Sequence, residues 1–127
     1  MFSTKAFFVA FVALVGAQVV SGAALVPATI TACSGLPSNG CVTIPVVSDV
    51  CTDLTGGLSF LNQEISAVVV PDGFVCSFYE EFGCLGSQNA QNVVVLTGGT
   101  WNMFSVPGIA GTQDFNDLTS SFSCSPI

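Results

Sequence analysis

Beyond its fifth residue the chain contains no lysine, no arginine and no histidine; Lys5 is the one basic side chain among 127 residues. That absence excludes a Ser-His-Asp triad, a Cys-His pair, a lysine Schiff base and histidine-ligated metal. It also removes the cationic surface on which nucleic-acid binding rests. No C-x-x-C pair occurs, so the cysteines lack a zinc-site pattern. No GK[ST] follows any glycine pair, which leaves those pairs as turn formers and not phosphate loops. N-x-[ST] is absent too, and N-glycosylation is not expected.

What is present begins with a leader. Residues 1–5 carry one positive charge, residues 6–20 form an almost wholly apolar run, and Ser21, Gly22, Ala23 and Ala24 are small. This is the layout of a secretory signal peptide cleaved near Ala23. The run is shorter than the roughly 20 residues a membrane-spanning helix needs. The expected product is one soluble, extracellular domain over residues 24–127, without a membrane span.

Six cysteines (Cys33, Cys41, Cys51, Cys76, Cys84, Cys124) in a secreted domain of this size read as three disulfides, for which fifteen connectivities exist. Hairpin geometry favours Cys41 with Cys51 and Cys76 with Cys84, each pair bracketing a short segment. Cys33 and Cys124 then join the two ends.

The acids are Asp49, Asp53, Glu64, Asp72, Glu80, Glu81, Asp114 and Asp117. Eight carboxylates against no cation give residues 24–127 a side-chain charge of −8 and no side-chain ion pair. Acid therefore relieves self-repulsion without breaking salt bridges. The same charge disfavours nucleic acid and anionic membranes.

Residues 41–47, 66–71, 74–79, 92–96, 101–106 and 120–124 are β-branched or aromatic runs, separated by turn formers at 38–40, 56–57, 71–73, 98–99 and 107–108. Only 58–67 approaches a helical turn. Short strands at this spacing predict an all-β sandwich or barrel. A faint internal repeat accompanies them. LTGG occurs at 54–57 and at 96–99; NQEISA (62–67) follows the first copy and NDLTSS (116–121) the second.

Two of these segments match signatures of the βγ-crystallin domain, which the chain resembles. Tyr79-x4-Cys84-x-Gly86 fits the family's hairpin signature, with a cysteine in place of the second aromatic. Asn116-Asp117-Leu118-Thr119-Ser120-Ser121 satisfies its second signature, Asn/Asp-Asn/Asp-x-x-Ser/Thr-Ser, in full, and 62–67 is a degraded copy. Residues 66–81 look like the family's link from one key into the next hairpin, whereas 41–51 shows no aromatic signature. Cysteine-stapled versions of this layout look like small secreted fungal proteins.

The resemblance implies two Greek keys packed as a small sandwich, with tyrosine covering the hairpin, glycine permitting its tight fold and serine hydroxyls bracing it. It further implies calcium at two sites. Gln63, Glu64 and Ser66 would join the loop at Glu80 and Glu81; Asp117, Leu118 and Ser120 would join a loop near Ser48 and Asp49. Affinity would be weak, in the range of extracellular modules near 10⁻⁴–10⁻³ M: Gln63 replaces Asn/Asp, Ala67 removes a hydroxyl and Leu118 can offer only a carbonyl.

Glu80 and Glu81 are the one adjacent carboxylate pair, and neighbours on a strand point to opposite faces, which argues against a two-carboxylate glycosidase. Trp101 reads as a core residue in preference to a carbohydrate platform with Phe104. The reading is a non-enzymatic, secreted binding or structural protein with an unknown extracellular partner. The alternative is a secreted effector, toxin-like protein or enzyme inhibitor acting on another organism.

Overall fold

The computed structural model describes residues 28–36, 39–86, 92–108 and 111–127. The expected signal peptide, 1–23, lies outside them. The elements in order are β1 (Thr29–Gly35), β2 (Asn39–Pro45), β3 (Thr52–Asp53), a 3₁₀ turn (Gly56–Leu61) and β4 (Ala67–Tyr79). A second 3₁₀ turn (Phe82–Cys84), β5 (Val93–Asn102), β6 (Val106–Gly108), β7 (Gly111–Gln113) and β8 (Ser121–Pro126) complete them. No helix among the described residues is long and apolar enough to cross a membrane.

Two long strands carry the architecture. The runs expected at 66–71 and 74–79 are one strand, β4, whose register against β5 shifts between Val70 and Val75 around the left-handed Gly73. The expected turn at 98–99 is likewise a bend inside β5. A Cβ on Gly98 would stand 3.0 Å from the Asp72 Cα and 3.1 Å from the Pro71 carbonyl. Glycine is there because the two bent strands approach too closely for a side chain.

The bends divide the sheet into two halves. In one, the order is β2, β1, the start of β4, the end of β5; in the other it is the start of β5, the end of β4, β8, β3. Inward-facing residues of both halves share one core: Ile30, Ile44, Val68 and Val70 from the first, Cys76, Phe78, Val94, Leu96 and Phe122 from the second. Phe78 and Phe122 stack across the β4–β8 pair at 5.8 Å between ring centroids.

The registers reveal an internal two-fold. Cys33 pairs with Ala67 as Tyr79 pairs with Ser121, and Ala67 pairs with Asn102 as Ser121 pairs with Asp53. The first key is thus β1, β2, β3 and the start of β4; the second is the end of β4, both halves of β5, and β8. Each key lends its third strand to the other key's half of the sheet. Two Greek keys making an all-β, disulfide-stapled unit is the architecture the sequence predicted.

Two details of that prediction do not hold. The LTGG match is not a structural repeat: Leu54 corresponds by register to Met103 and Leu96 to Ile44, so the copies lie at unrelated places. Nor do the cysteines pair as expected. The bonds are Cys33–Cys41, Cys51–Cys84 and Cys76–Cys124, and not Cys33 with Cys124, Cys41 with Cys51 or Cys76 with Cys84. The reason is strand position. Cys41 is the third residue of β2, whose partner is β1 before it, so Cys33 sits directly opposite at 3.9 Å between Cα atoms. Cys76 and Cys124 are opposite neighbours in the β4–β8 pair at 4.0 Å. Both lie within reach of a disulfide once the strands pair.

Candidate calcium-binding motifs

The two Asn-containing motifs meet across the internal two-fold. Gln63 N–H donates to the Thr119 carbonyl at 2.8 Å, and Asp117 N–H donates to the Ile65 carbonyl at 3.1 Å. Positions 63 and 117 correspond, as do 65 and 119, so the pair of bonds is reciprocal. Gln63 (φ 57°) and Asp117 (φ 61°) are both left-handed, a conformation in which non-glycine residues are uncommon. Within each motif the fifth residue, a serine, reaches its own key's hairpin through its N–H: Ser66 to Cys33 O and Ser120 to Tyr79 O, both at 2.8 Å. The Oδ1 atoms of Asn62 and Asn116, heading the two motifs, are buried without a hydrogen-bond partner, and so is the Thr119 Oγ1.

These bonds set which loop faces which motif. Gln63 meets Thr119, and Ser120 next to it meets Tyr79, the residue before Glu80. The first motif therefore lies two backbone hydrogen bonds from the Glu80–Glu81 loop with which it was expected to combine. The same path leads from Asp117 through Ile65 and Ser66 to Cys33, beside Ser34. Asp49 is elsewhere: its N–H bonds the Cys124 carbonyl and its carboxylate accepts from Ser125 Oγ at the end of β8. The second motif thus faces the β1–β2 hairpin, because the first hairpin turns before Cys41 and not between Cys41 and Cys51.

Side chains distinguish the two copies. Glu64 is exposed, whereas Leu118 at the matching position packs against the core. Ser66 and Ser120 are both buried. Glu80 and Glu81 lie just past the end of β4; Glu80 N–H donates to Asn92 O, and the Glu81 carbonyl accepts the Ser121 hydroxyl at 2.6 Å. Among the described residues no three Asp, Glu, Cys or His side chains converge as a metal cluster. An ion here would draw chiefly on hydroxyl, amide and backbone oxygens, the weak end of the calcium donor range.

The hairpin signature is built as its residues suggest, with one difference. Ser121 Oγ, besides donating to Glu81 O, accepts from Cys84 N–H at 2.9 Å, so one hydroxyl braces the turn from both sides. The Tyr79 ring lies over Gly86, where an added Cβ would stand 3.7 Å from the ring and 2.7 Å from Val93 Cγ2. Gly86 is required by close approach; the left-handed residues of this turn are Gly83 and Cys84. The first key hides its own version of the signature. By register Cys33 stands for Tyr79, so Cys33-x4-Ser38-x-Gly40 repeats the spacing. No aromatic marks it, because a cysteine stands in place of the ring. Trp101 is half-buried against the core and donates Nε1–H to the Thr97 carbonyl at 2.8 Å, while Phe104 is exposed.

No family model matches the chain, and no curated protein matches it. Solved structures do. The N-terminal domain of Protein S superposes with a TM-score of 0.56 at 19% identity, covering 79% of this chain and 98% of that one. A βγ-crystallin domain from Clostridium beijerinckii gives 0.51 at 18% identity over 77% and 98% of the two chains. A βγ-crystallin from Ciona intestinalis gives 0.51 at 17% over 76% and 98%. At such identities the likeness is one of fold. This chain has the βγ-crystallin fold.

Proposed function

We propose that the protein is a secreted, non-enzymatic structural or binding domain that takes calcium weakly, at its first motif and not its second. Secretion rests on the leader-like residues 1–23 together with six cysteines that all form disulfides. The non-enzymatic reading rests on the lack of histidine, lysine and free thiols beyond the leader, which leaves carboxylates as the only acid–base groups of ordinary use near neutral pH.

One observation carries the choice of motif: Glu64 offers an exposed carboxylate where Leu118 is packed against the core. Gln63, Glu64 and Ser66 would hold the ion, with the Glu80–Glu81 loop completing it. The unpartnered Asn62 Oδ1 marks an unfilled acceptor at the head of that motif. Thermal unfolding of the oxidised protein with calcium tests this. At a dissociation constant near 10⁻³ M, tenfold excess calcium adds about 1.4 kcal/mol of stability. Glu64→Gln should abolish the gain and Asp117→Asn should keep most of it. No shift at millimolar calcium contradicts calcium binding; loss in Asp117→Asn alone moves the site to the second motif.

A further inference from the structure

The internal two-fold places β2 and the first half of β5 at matching outer edges. Among the described residues β2 pairs only with β1, and β5 only with β4. The bond from Val46 N–H to Ala28 O sets the phase of β2. Even-numbered residues bond to β1, and Cys41, Thr43 and Pro45 turn their backbone groups outward. The bond from Glu80 N–H to Asn92 O sets the same phase in β5, so Val93, Val95 and Thr97 face outward there.

The two edges then diverge. On β2, Pro45 presents no N–H, and Cys41 is bonded to Cys33. The matching positions on β5 are Thr97 and Val93. Val93 through Thr97 carry no charge and no proline, and Val95 is 53% exposed. Trp101 Nε1–H takes the Thr97 carbonyl; Val93 and Val95 keep outward backbone groups with no partner among the described residues. Proteins ordinarily blunt such edges with charge, proline or shortness. β3, an edge of two residues with Asp53, is blunted in that way.

We propose that the first half of β5 is a self-association edge, to which a second copy of this chain adds antiparallel across a two-fold near Val95. Charge selects the occupant. Beyond Lys5 the chain has no basic side chain to receive an acidic segment, and this edge has no carboxylate to receive a basic one. A neutral strand fits, and the chain supplies one in its own copy, in the self-complementary contact of a two-fold dimer. Repulsion between two acidic copies opposes the contact, so added salt strengthens it.

Sedimentation and amide exchange of the oxidised protein, from micromolar to millimolar concentration at low and high salt, test the inference. The mass should rise toward a dimer with concentration, and more readily in high salt. Exchange at Val93 and Val95 should slow about tenfold while the already bonded Val94 and Leu96 barely change. Val95→Glu, and Thr97→Pro, which copies the Pro45 device, should both restore the monomer with the melting transition in place. A monomer under every condition overturns the proposal. So does a dimer whose new protection lies away from Val93 and Val95, or a neutral strand peptide that binds this edge while the chain does not bind itself.

Discussion

The two keys hold their hairpins by different chemistry at corresponding positions. In the second key the Tyr79 ring covers Gly86, and the Ser121 hydroxyl bridges Glu81 O and Cys84 N–H. In the first, Cys33 stands where the ring would be and bonds to Cys41, and Ala67 stands where the serine would be. A covalent bond there replaces a ring and a hydroxyl. One layer further in, the roles reverse. Ile30 and Val70, each next to the paired Thr31 and Val69, lie in the core of the first key, and the Cys76–Cys124 bond occupies the matching place in the second. Each key thus has one internal staple, at a different depth, and Cys51–Cys84 ties the keys together.

That contrast can be broken most severely at the buried bond. Cys76→Ala with Cys124→Ala frees a 48-residue separation and leaves a cavity in the core. The chain-entropy term alone is about 4 kcal/mol, and lost packing adds to it. Cys76→Ile with Cys124→Val, which imports the first key's solution, should recover the packing part. Denaturant unfolding of the two double variants measures the difference; equal losses would show that the bond contributes nothing beyond chain restriction.

A smaller effect follows from exchanging the braces. Ser121→Ala leaves Glu81 O and Cys84 N–H without their partner in a part-buried turn, a loss of roughly 1–3 kcal/mol. The reverse change, Ala67→Ser, should not stabilise the first key, because its hairpin is already bonded and Ala67 is buried. A gain from Ala67→Ser would mean that the hydroxyl, and not the disulfide, is the better brace.

The smallest expected effect is that of acid. No cation beyond Lys5 exists to pair with the eight carboxylates, so lowering the pH breaks no side-chain salt bridge and relieves repulsion. Carboxylates do accept backbone hydrogen bonds here, Asp53 from Gly83 N–H and Asp114 from Asn116 N–H. The melting temperature should change between pH 7 and pH 4 by less than the roughly 4–8 °C that 1 kcal/mol represents in a domain of this size. A steep fall would show that carboxylate hydrogen bonds outweigh the repulsion.

Local chemistry made the second key readable and hid the first. Alternation in 74–79, the Tyr79 to Gly86 spacing and the full 116–121 motif each leave a mark on contiguous residues. β1 escaped because TITACSG lies just after the apolar leader and its signature ring is a cysteine. The disulfides depart from the bracketed pairs because a cysteine need not pair within the loop it borders. Here the determining fact is strand pairing between segments up to 48 residues apart. The two Asn-headed motifs, 62–67 and 116–121, meet across the two-fold, but the hairpin beside the second is β1–β2 and not the loop near Ser48 and Asp49. The exchange of third strands between keys is a long-range pairing that no local pattern records.

The disulfide map tests the two-key account most directly. Digestion of the unreduced protein with pepsin or chymotrypsin, followed by mass analysis of linked peptides, reads it; trypsin finds no site beyond Lys5. The account predicts links of Cys33 to Cys41, Cys51 to Cys84 and Cys76 to Cys124. Peptides joining Cys41 to Cys51, or Cys33 to Cys124, would contradict the strand pairing from which the internal two-fold is drawn.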